Sequence, residues 1–153
     1  MEYVIAVGSN RGDRAAMIAT AAAMLPPQIR RVRSAPLVET EAVGGPSHSG
    51  PFLNGAWVVE TRFGPHHLLW HLLALEQRLG RSRGEPDAPR GIDLDLICAK
   101  SFWQVESPFL TLPHPRCHLR PFVLQPIACI AGDWQHPILG VSFAALWHQI
   151  QEP

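Results

Sequence analysis

The sequence lacks the features that mark several common functional classes. It contains no G-x-x-x-x-G-K-[ST] motif, so it is not a P-loop nucleotide-binding protein. No apolar run approaches the roughly 20 residues that span a membrane, and the first residues, MEYVIAVGSN, lack the basic segment of a signal peptide. The three cysteines form no CxxC pair and leave one odd, which suits reduced thiols. We therefore expect a cytoplasmic protein.

An excess of charge is also missing. The formal net charge is zero and the sequence pI is about 7.1, so no global field attracts nucleic acid or an acidic membrane surface. Lys100 is the only lysine among 13 basic residues, and the others are arginines, which favour paired contacts with phosphate. With 153 residues, 46 % of them hydrophobic, the chain can form one compact domain over residues 1–153.

The order of predicted elements indicates the fold class. Strands are predicted at YVIAV, IRRVRSAPLVETEAV, FLNGAWVVETR and around IDLDLI, the second being interrupted by Pro36. Helices are predicted after an Asp13 cap, after Gly64-Pro65, over residues 123–130 and after a Ser142 cap. The order β-α-β-β-α-β, followed by extra pieces, predicts an α+β ferredoxin-like fold: an antiparallel sheet with helices on one face.

The stretch PRGIDLDLI carries two aspartates, Asp93 and Asp95, within an apolar strand. Residues two apart in a strand point to the same face, so the two carboxylates are predicted to lie side by side. Two negative charges so close to each other need a compensating cation. Mg²⁺ suits this position, because it prefers oxygen ligands and commonly binds protein carboxylates and phosphate oxygens together. The alternative is a solvated strand face.

Basic residues surround this acidic pair. Arg81, Arg83 and Arg90 precede it, and Arg116 and Arg120 follow in a proline-rich segment with His114 and His118. Arginines that meet phosphate oxygens while aspartates hold Mg²⁺ would suit a metal-bound polyphosphate. For each arginine alone, a solvated loop position is the simpler interpretation.

Two other groups could bind a metal. His67 and His71 stand four apart and could share a helix face, although no third ligand suggests itself and a plain helix surface is the favoured interpretation. HPRCH, with His114, Cys117 and His118, is the second group, but phosphate binding explains His114 better.

The motifs GSNRGD, FLNGAWVVET, LEQRLGRSRG, PRGIDLDLI, LTLPHPR and RPFVLQP occur in the order found in 6-hydroxymethyl-7,8-dihydropterin pyrophosphokinases of folate synthesis. The chain resembles that family over roughly residues 3–137, and PRGIDLDLI followed by LPHPR is the most specific part. The resemblance implies a ferredoxin-like fold. It also implies transfer of diphosphate from ATP to the hydroxymethyl group of a reduced pterin, giving AMP and the pterin diphosphate.

The resemblance further implies a role for each matching residue. Asp93 and Asp95 would hold two Mg²⁺ ions, and Arg81, Arg83 and Arg90 would be catalytic residues that contact the phosphates and close a loop. The remaining implied nucleotide contacts are Glu76, Leu96, Leu110, Thr111, His114 and Arg120. The implied pterin contacts are Phe52 and Phe122 on the ring faces, Asn54 at the polar edge, and backbone groups near Thr40 and Val43.

The sequence also departs from the family pattern. The loop SRGEPDAP lacks the expected tryptophan, Phe109 replaces a basic residue near the nucleotide, Pro115 replaces a tyrosine, and Phe52 replaces a tyrosine. A non-catalytic or altered-substrate homologue that binds a pterin or a protein therefore stays open as the alternative. An RNA-binding ferredoxin-like module would need an aromatic RNP signature that the sequence lacks. The identity of the pterin, folate precursor or modified relative, also stays open.

Overall fold

The structure is a computed structural model that describes residues 1–40, 51–80, 91–101 and 104–152. Its strands are β1 (Glu2–Ser9), β2 (Ile29–Ser34), β3 (Val38–Thr40), β4 (Phe52–Thr61), β5 (Asp93–Ala99), β6 (Val105–Glu106) and β7 (Thr111–Leu112). Its helices are α1 (Arg14–Ala23), α2 (Pro65–Gly80), α3 (Pro121–Ala131) and α4 (Phe143–Gln151), with a 3₁₀ helix at Cys117–Leu119. No helix among these described residues is long and apolar enough to cross a membrane.

The main sheet is antiparallel, with strand order β2-β4-β1-β5 and β3 paired to β4. This order and the β-α-β-β-α-β succession confirm the predicted ferredoxin-like arrangement. The predicted second strand is divided, because the chain breaks at Pro36 into β2 and β3, and both halves pair with β4. The last part of that predicted strand, beyond Thr40, lies outside the described residues.

Local sequence signals set the helix ends as predicted. The Asp13 carboxylate accepts a hydrogen bond from the backbone N–H of Ala16 at 3.1 Å, and the Ser142 hydroxyl accepts one from the N–H of Ala145 at 3.1 Å. Pro65 opens α2 as predicted, whereas α3 begins at Pro121, two residues before its predicted start; the missing N–H of proline costs no helical hydrogen bond at either position.

Helices cover both faces of the sheet, which corrects the expectation of helices on one face. α1 and α2 pack on the first face, around Tyr3, Ile5 and Trp57. α3 and α4 pack on the second face, around Val58 and Ile97. β4 carries apolar residues on both of its faces, and both are buried. A second layer of helices is therefore needed to cover the second face.

Candidate active site

The acidic pair lies on β5, an edge strand of the main sheet. Leu94 and Leu96 point into the first-face core, so Asp93 and Asp95 project toward the second face, as the alternation predicts. Asp93 is half-buried and Asp95 is exposed. Carboxylate oxygens on one face, one of them open to solvent, are donors that fit Mg²⁺.

A row of side chains crosses the sheet at the level of Asp93. Asp93 pairs with Gly8 of β1, and Gly8 pairs on its other side with Asn54 of β4. Residues directly opposite each other in a sheet share a face, so Asn54 and Asp93 point the same way across the glycine. The structure therefore brings the predicted pterin-reading amide and the predicted metal ligands to one surface.

Gly8 provides the space between them. A Cβ atom built on Gly8 would lie 3.2 Å from the amide oxygen Oδ1 of Asn54 and 3.8 Å from a ring carbon of Phe52. Any side chain here would crowd the amide, so glycine allows Asn54 and Phe52 to lie over β1. The sequence indicated Gly8 only as part of the GSNRGD motif.

The predicted pterin contacts on β3 and β4 also belong to this face. Thr40 pairs with Phe52, and Asn54 donates a hydrogen bond from Nδ2 to the Thr40 hydroxyl at 2.6 Å. Asn54 is only 7 % exposed, so its amide is held in one orientation. Val43 lies outside the described residues.

Arg14 of α1 contacts both of the segments that carry the predicted pterin contacts or lead into them. Its guanidinium donates to the carbonyl oxygen of Pro51 at 2.7 Å and to the Glu39 carboxylate at 2.7 Å. One side chain of α1 thus contacts both β3 and the residue that precedes β4. Sequence reasoning missed this residue, because nothing local connects Arg14 with partners 25 and 37 residues away.

A pocket of about 350 Å³ opens beside β5, between α2 and the β6–β7 turn. Most of the predicted nucleotide contacts line it, together with one of the two aspartates. These residues are Glu76, Asp95, Leu96, Leu110, Thr111 and His114. Asp95 lines the pocket and shares a strand face with Asp93, which lies across Gly8 from Asn54. The pocket and the sheet surface around Asn54 therefore meet at the Asp95 carboxylate.

Glu76 lines the pocket and also contacts β5. Its carboxylate oxygen Oε2 accepts a hydrogen bond from the backbone N–H of Leu94 at 2.8 Å, and the contact is buried. An edge strand presents backbone groups that otherwise need water or another strand. Glu76 therefore joins α2 to β5 as well as lining the pocket.

His114 also lines the pocket. Its backbone N–H donates to the carbonyl oxygen of Ile97 at 2.7 Å, which attaches the segment to β5. Burial lowers the pKa of the His114 imidazole below its ordinary value, the positive charges of Arg120 and Arg116 lower it further, and the negative charge of Asp95 opposes the shift. The neutral imidazole is thus favoured in the folded protein.

Arg120 and Phe122 form a separate contact at the start of α3. The guanidinium carbon of Arg120 lies 5.8 Å from the centroid of the Phe122 ring, and Phe122 packs against the second-face core. Arg120 does not line the pocket, although its charge acts on His114. The sandwich of a pterin between Phe52 and Phe122 stays a prediction.

The three loop residues Arg81, Arg83 and Arg90 lie outside the described residues. The His71 ring stacks on Phe63 at 4.9 Å and on His67 at 5.0 Å, and the His67 ring is tilted by 32° against Phe63 at 4.0 Å. Stacked rings pack face to face rather than aim their nitrogens at one ion, which favours the helix-surface interpretation.

Phe109 is a further residue of the pocket. It sits in the β6–β7 turn, 84 % exposed, and lines the pocket with Leu69 and Leu73 of α2. The turn is fixed by hydrogen bonds between the backbones of Ser107 and Leu110. The sequence marked Phe109 only as a departure from the family pattern.

Comparisons with known proteins identify the family to which the chain belongs. Residues 4–132 match the family model described as 7,8-dihydro-6-hydroxymethylpterin-pyrophosphokinase (HPPK). A 2-amino-4-hydroxy-6-hydroxymethyldihydropteridine pyrophosphokinase of Porphyromonas gingivalis is 35 % identical over 137 residues, which cover 87 % of this chain and 92 % of that protein. A Synechocystis protein of the same name is 43 % identical over 99 residues, which cover 65 % of this chain and 50 % of that protein.

Longer proteins also match. The mitochondrial folate synthesis bifunctional protein of Pisum sativum is 38 % identical over 148 residues, covering 96 % of this chain and 28 % of that protein. The chain thus spans about half the length of the Synechocystis relative and about a quarter of the pea protein. A crystal structure of Plasmodium falciparum HPPK-DHPS superposes with a TM-score of 0.70 at 14 % identity, covering 97 % of this chain and 43 % of that one, and so shows the same fold. The chain belongs to the 7,8-dihydro-6-hydroxymethylpterin-pyrophosphokinase family.

Proposed function

We propose that the protein transfers the β,γ-diphosphate of ATP to the hydroxymethyl group of 6-hydroxymethyl-7,8-dihydropterin, giving AMP and the pterin diphosphate in folate biosynthesis. One observation carries the proposal: Asp95 lines the pocket that holds the predicted nucleotide residues, and it shares a strand face with Asp93. Asp93 in turn lies across Gly8 from Asn54, the predicted pterin contact. The two substrates would therefore meet at the two carboxylates.

The pocket suits the nucleotide. Leucines from α2 and β5 form apolar walls for a base, and Phe109 offers a ring for stacking. The neutral His114 imidazole can donate or accept a hydrogen bond at a phosphate, and Arg120 contributes a positive charge beside it. Arg81, Arg83 and Arg90, which lie in the loop before β5, would contact the transferred phosphates.

The sheet face suits the pterin. Asn54 can both donate and accept at the polar edge of the heterocycle, and Phe52 lies beside it on β4. Arg14 contacts Glu39 of β3 and the carbonyl oxygen of Pro51, the residue before Phe52, and so joins the two strands that carry this surface. Backbone groups near Thr40 and Val43 and the Phe122 ring would complete the contacts.

The reaction forms a bond from the pterin hydroxymethyl oxygen to the β-phosphorus. It breaks the bond from that phosphorus to the bridging oxygen, which leaves with its electron pair as part of AMP, and the hydroxyl proton passes to solvent. Asp93 and Asp95 would hold two Mg²⁺ ions, which neutralise the developing charge and polarise the attacking hydroxyl when bound. We assign no side chain as general base.

We further propose that residues 1–153 act as one such domain in the cytoplasm. All three cysteines are free thiols, with Cys98 and Cys117 buried and Cys129 exposed, which fits a reducing compartment.

The direct test supplies the protein with ATP, Mg²⁺ and 6-hydroxymethyl-7,8-dihydropterin and separates the nucleotide products. AMP and the pterin diphosphate in equal amounts are expected. ADP in place of AMP would mean that a single phosphoryl group is transferred. No pterin-dependent AMP would favour the non-catalytic homologue, and a modified pterin that outcompetes the folate precursor would identify a different substrate.

A further inference from the structure

Three potential metal ligands meet on the second face of the sheet, and none of them lines the pocket beside β5. Cys117 and His118 belong to the 3₁₀ helix, and His136 lies between α3 and α4. One ligand atom from each of the three residues lies within 4.8 Å of the other two. We propose that these residues form a binding site for a divalent transition-metal ion with the ligand preference of Zn²⁺.

Two nitrogen atoms of this cluster are buried and have no hydrogen-bond partner among the residues that the structure describes. They are Nδ1 of His118 and Nε2 of His136, and His136 is only 3 % exposed. Buried polar atoms that lack a partner destabilise a fold, so they are rare. A metal ion between them would give both nitrogens a partner at once.

The donor set matches the ion. Cysteine thiolates and histidine nitrogens are the ligands that Zn²⁺ prefers in proteins, and a site with three protein ligands leaves the fourth position to a water molecule. Tetrahedral zinc brings its ligand atoms to about 3.3–3.7 Å from one another, given bond lengths of about 2.0–2.3 Å. The side chains would therefore move together by about 1 Å, and the Cys117 thiol would release its proton to solvent on binding.

The His136 ring must also change its tautomer. Its Nδ1 accepts from the backbone N–H groups of Ile138 and Leu139 at 3.2 and 3.1 Å, so Nε2 carries the ring proton in the metal-free protein. Metal binding at Nε2 moves this proton to Nδ1 and releases the two amides. Ile138 and Leu139 are exposed, so water can take over their N–H groups, whereas it cannot easily reach the buried Nε2.

The geometry differs from the HPRCH grouping that the sequence suggested. His114 lines the pocket beside Asp95, and His136 takes its place next to Cys117 and His118. The metal would clamp the 3₁₀ helix to the turn after α3. Because the 3₁₀ helix lies between His114 and Arg120, the ion would also stiffen the segment that carries both residues.

The test uses Co²⁺ as a spectroscopic probe on the metal-free full chain, without nucleotide or pterin, so its outcome does not depend on the proposed enzymatic activity. Wild-type protein should bind one Co²⁺ per chain and show a thiolate-to-cobalt charge-transfer band, which added Zn²⁺ abolishes. Cys117→Ser and His118→Asn should each lose the band and weaken Zn²⁺ binding by at least about tenfold. Cys129→Ser is the matched control, because it removes an exposed thiol outside the cluster and should leave the band intact.

Folding is checked separately, since Cys117 is fully buried. His118 is only partly buried, so His118→Asn should keep its circular dichroism spectrum and report on the metal alone. In the wild type, Zn²⁺ should perturb the amide resonances of Ile138 and Leu139. The proposal is overturned if the wild type shows no cobalt band, if the band survives Cys117→Ser in folded protein, or if Cys129→Ser removes it.

Discussion

Asn54 donates a hydrogen bond from its side-chain nitrogen to the hydroxyl oxygen of Thr40 across 2.6 Å. The amide oxygen of Asn54 then lies over Gly8, the residue that separates it from Asp93. A buried amide held by one partner in this way keeps its remaining donor and acceptor capacity for a ligand. This orientation is what the proposed pterin site requires.

Replacement of Asn54 by leucine should weaken pterin binding far more than ATP binding. The substitution removes the polar partner of the heterocycle edge, and an edge group that is buried unpaired costs about 1–3 kcal/mol. Thr40→Val should have a smaller effect in the same direction, because it releases the amide without removing it. Calorimetry with the pterin and with an unreactive ATP analogue gives both affinities. Equal losses for the two ligands would show that Asn54 supports the fold instead.

The Gly8→Ala variant tests whether pterin binding needs the space that Gly8 leaves beside Asn54. A methyl group 3.2 Å from the Asn54 oxygen forces the amide to shift, so we expect pterin affinity to fall while ATP affinity changes little. Gly64→Ala is the matched control, because a Cβ atom there meets nothing within 4 Å and the residue is exposed. Unchanged pterin affinity in a folded Gly8→Ala variant would mean that the pterin does not lie over this part of the sheet.

Asp95→Asn should abolish most turnover and leave the fold intact. The exposed side chain keeps its shape but loses the negative charge proposed to hold Mg²⁺, and loss of a well-placed electrostatic group costs about 10²–10³ in rate. Asp133→Asn, which changes another exposed carboxylate, controls for the loss of charge alone. Initial rates of AMP formation over a range of Mg²⁺ concentrations measure the effect. Near-normal rates at limiting Mg²⁺ would contradict a metal-binding role.

Phe109→Ala should raise KM for ATP about tenfold or more with a smaller change in kcat. Stacking on an aromatic side chain contributes about 1–3 kcal/mol per base, and the exposed ring has little other packing to lose. Leu119→Ala, at an exposed apolar residue that does not line the pocket, should leave KM unchanged. Phe109→Tyr should retain tight binding, and a loss there equal to that of alanine would argue against stacking.

Local patterns predicted much of the fold. The Asp13 and Ser142 caps, the alternation around Asp93 and Asp95, and the succession of elements all depend on neighbours within a few residues. Sequence reasoning failed where distant segments meet. The cover of the second sheet face by α3 and α4 is of this kind, because it depends on how β4 is buried after folding.

The candidate site was also only partly predictable from the sequence. The resemblance supplied Glu76, Leu96, Leu110, Thr111 and His114, and the structure collects all five at one pocket. Contacts made by side chains from remote elements were missed: no local motif links Arg14 to Pro51, or Cys117 to His136. Such partners are fixed by tertiary packing, which a single sequence read by local patterns does not contain.

The lowered pKa of His114 predicts how the stability of the protein depends on pH. Burial, followed by smaller contributions from nearby charges, leaves the pKa of His114 below its ordinary value, so the unfolded chain takes up the proton at higher pH than the folded protein. The unfolded state therefore binds more protons just below pH 6.5, and this contribution to stability is present above that pH and is lost as the pH falls. His114→Asn should make the free energy of unfolding decline less between neutral pH and pH 5.

Asp95→Asn isolates the electrostatic part of this prediction. The Asp95 charge raises the pKa of His114 against the lowering by burial and by Arg120, so removing that charge should lower the pKa further. NMR titration of the His114 ring protons measures the shift directly, separately from the other histidines. Asp133→Asn should leave the titration where it is in the wild type. If Asp95→Asn moves the His114 midpoint upward or leaves it unchanged, the two side chains are not coupled, and the proposed meeting of nucleotide pocket and metal ligands at Asp95 loses its electrostatic support.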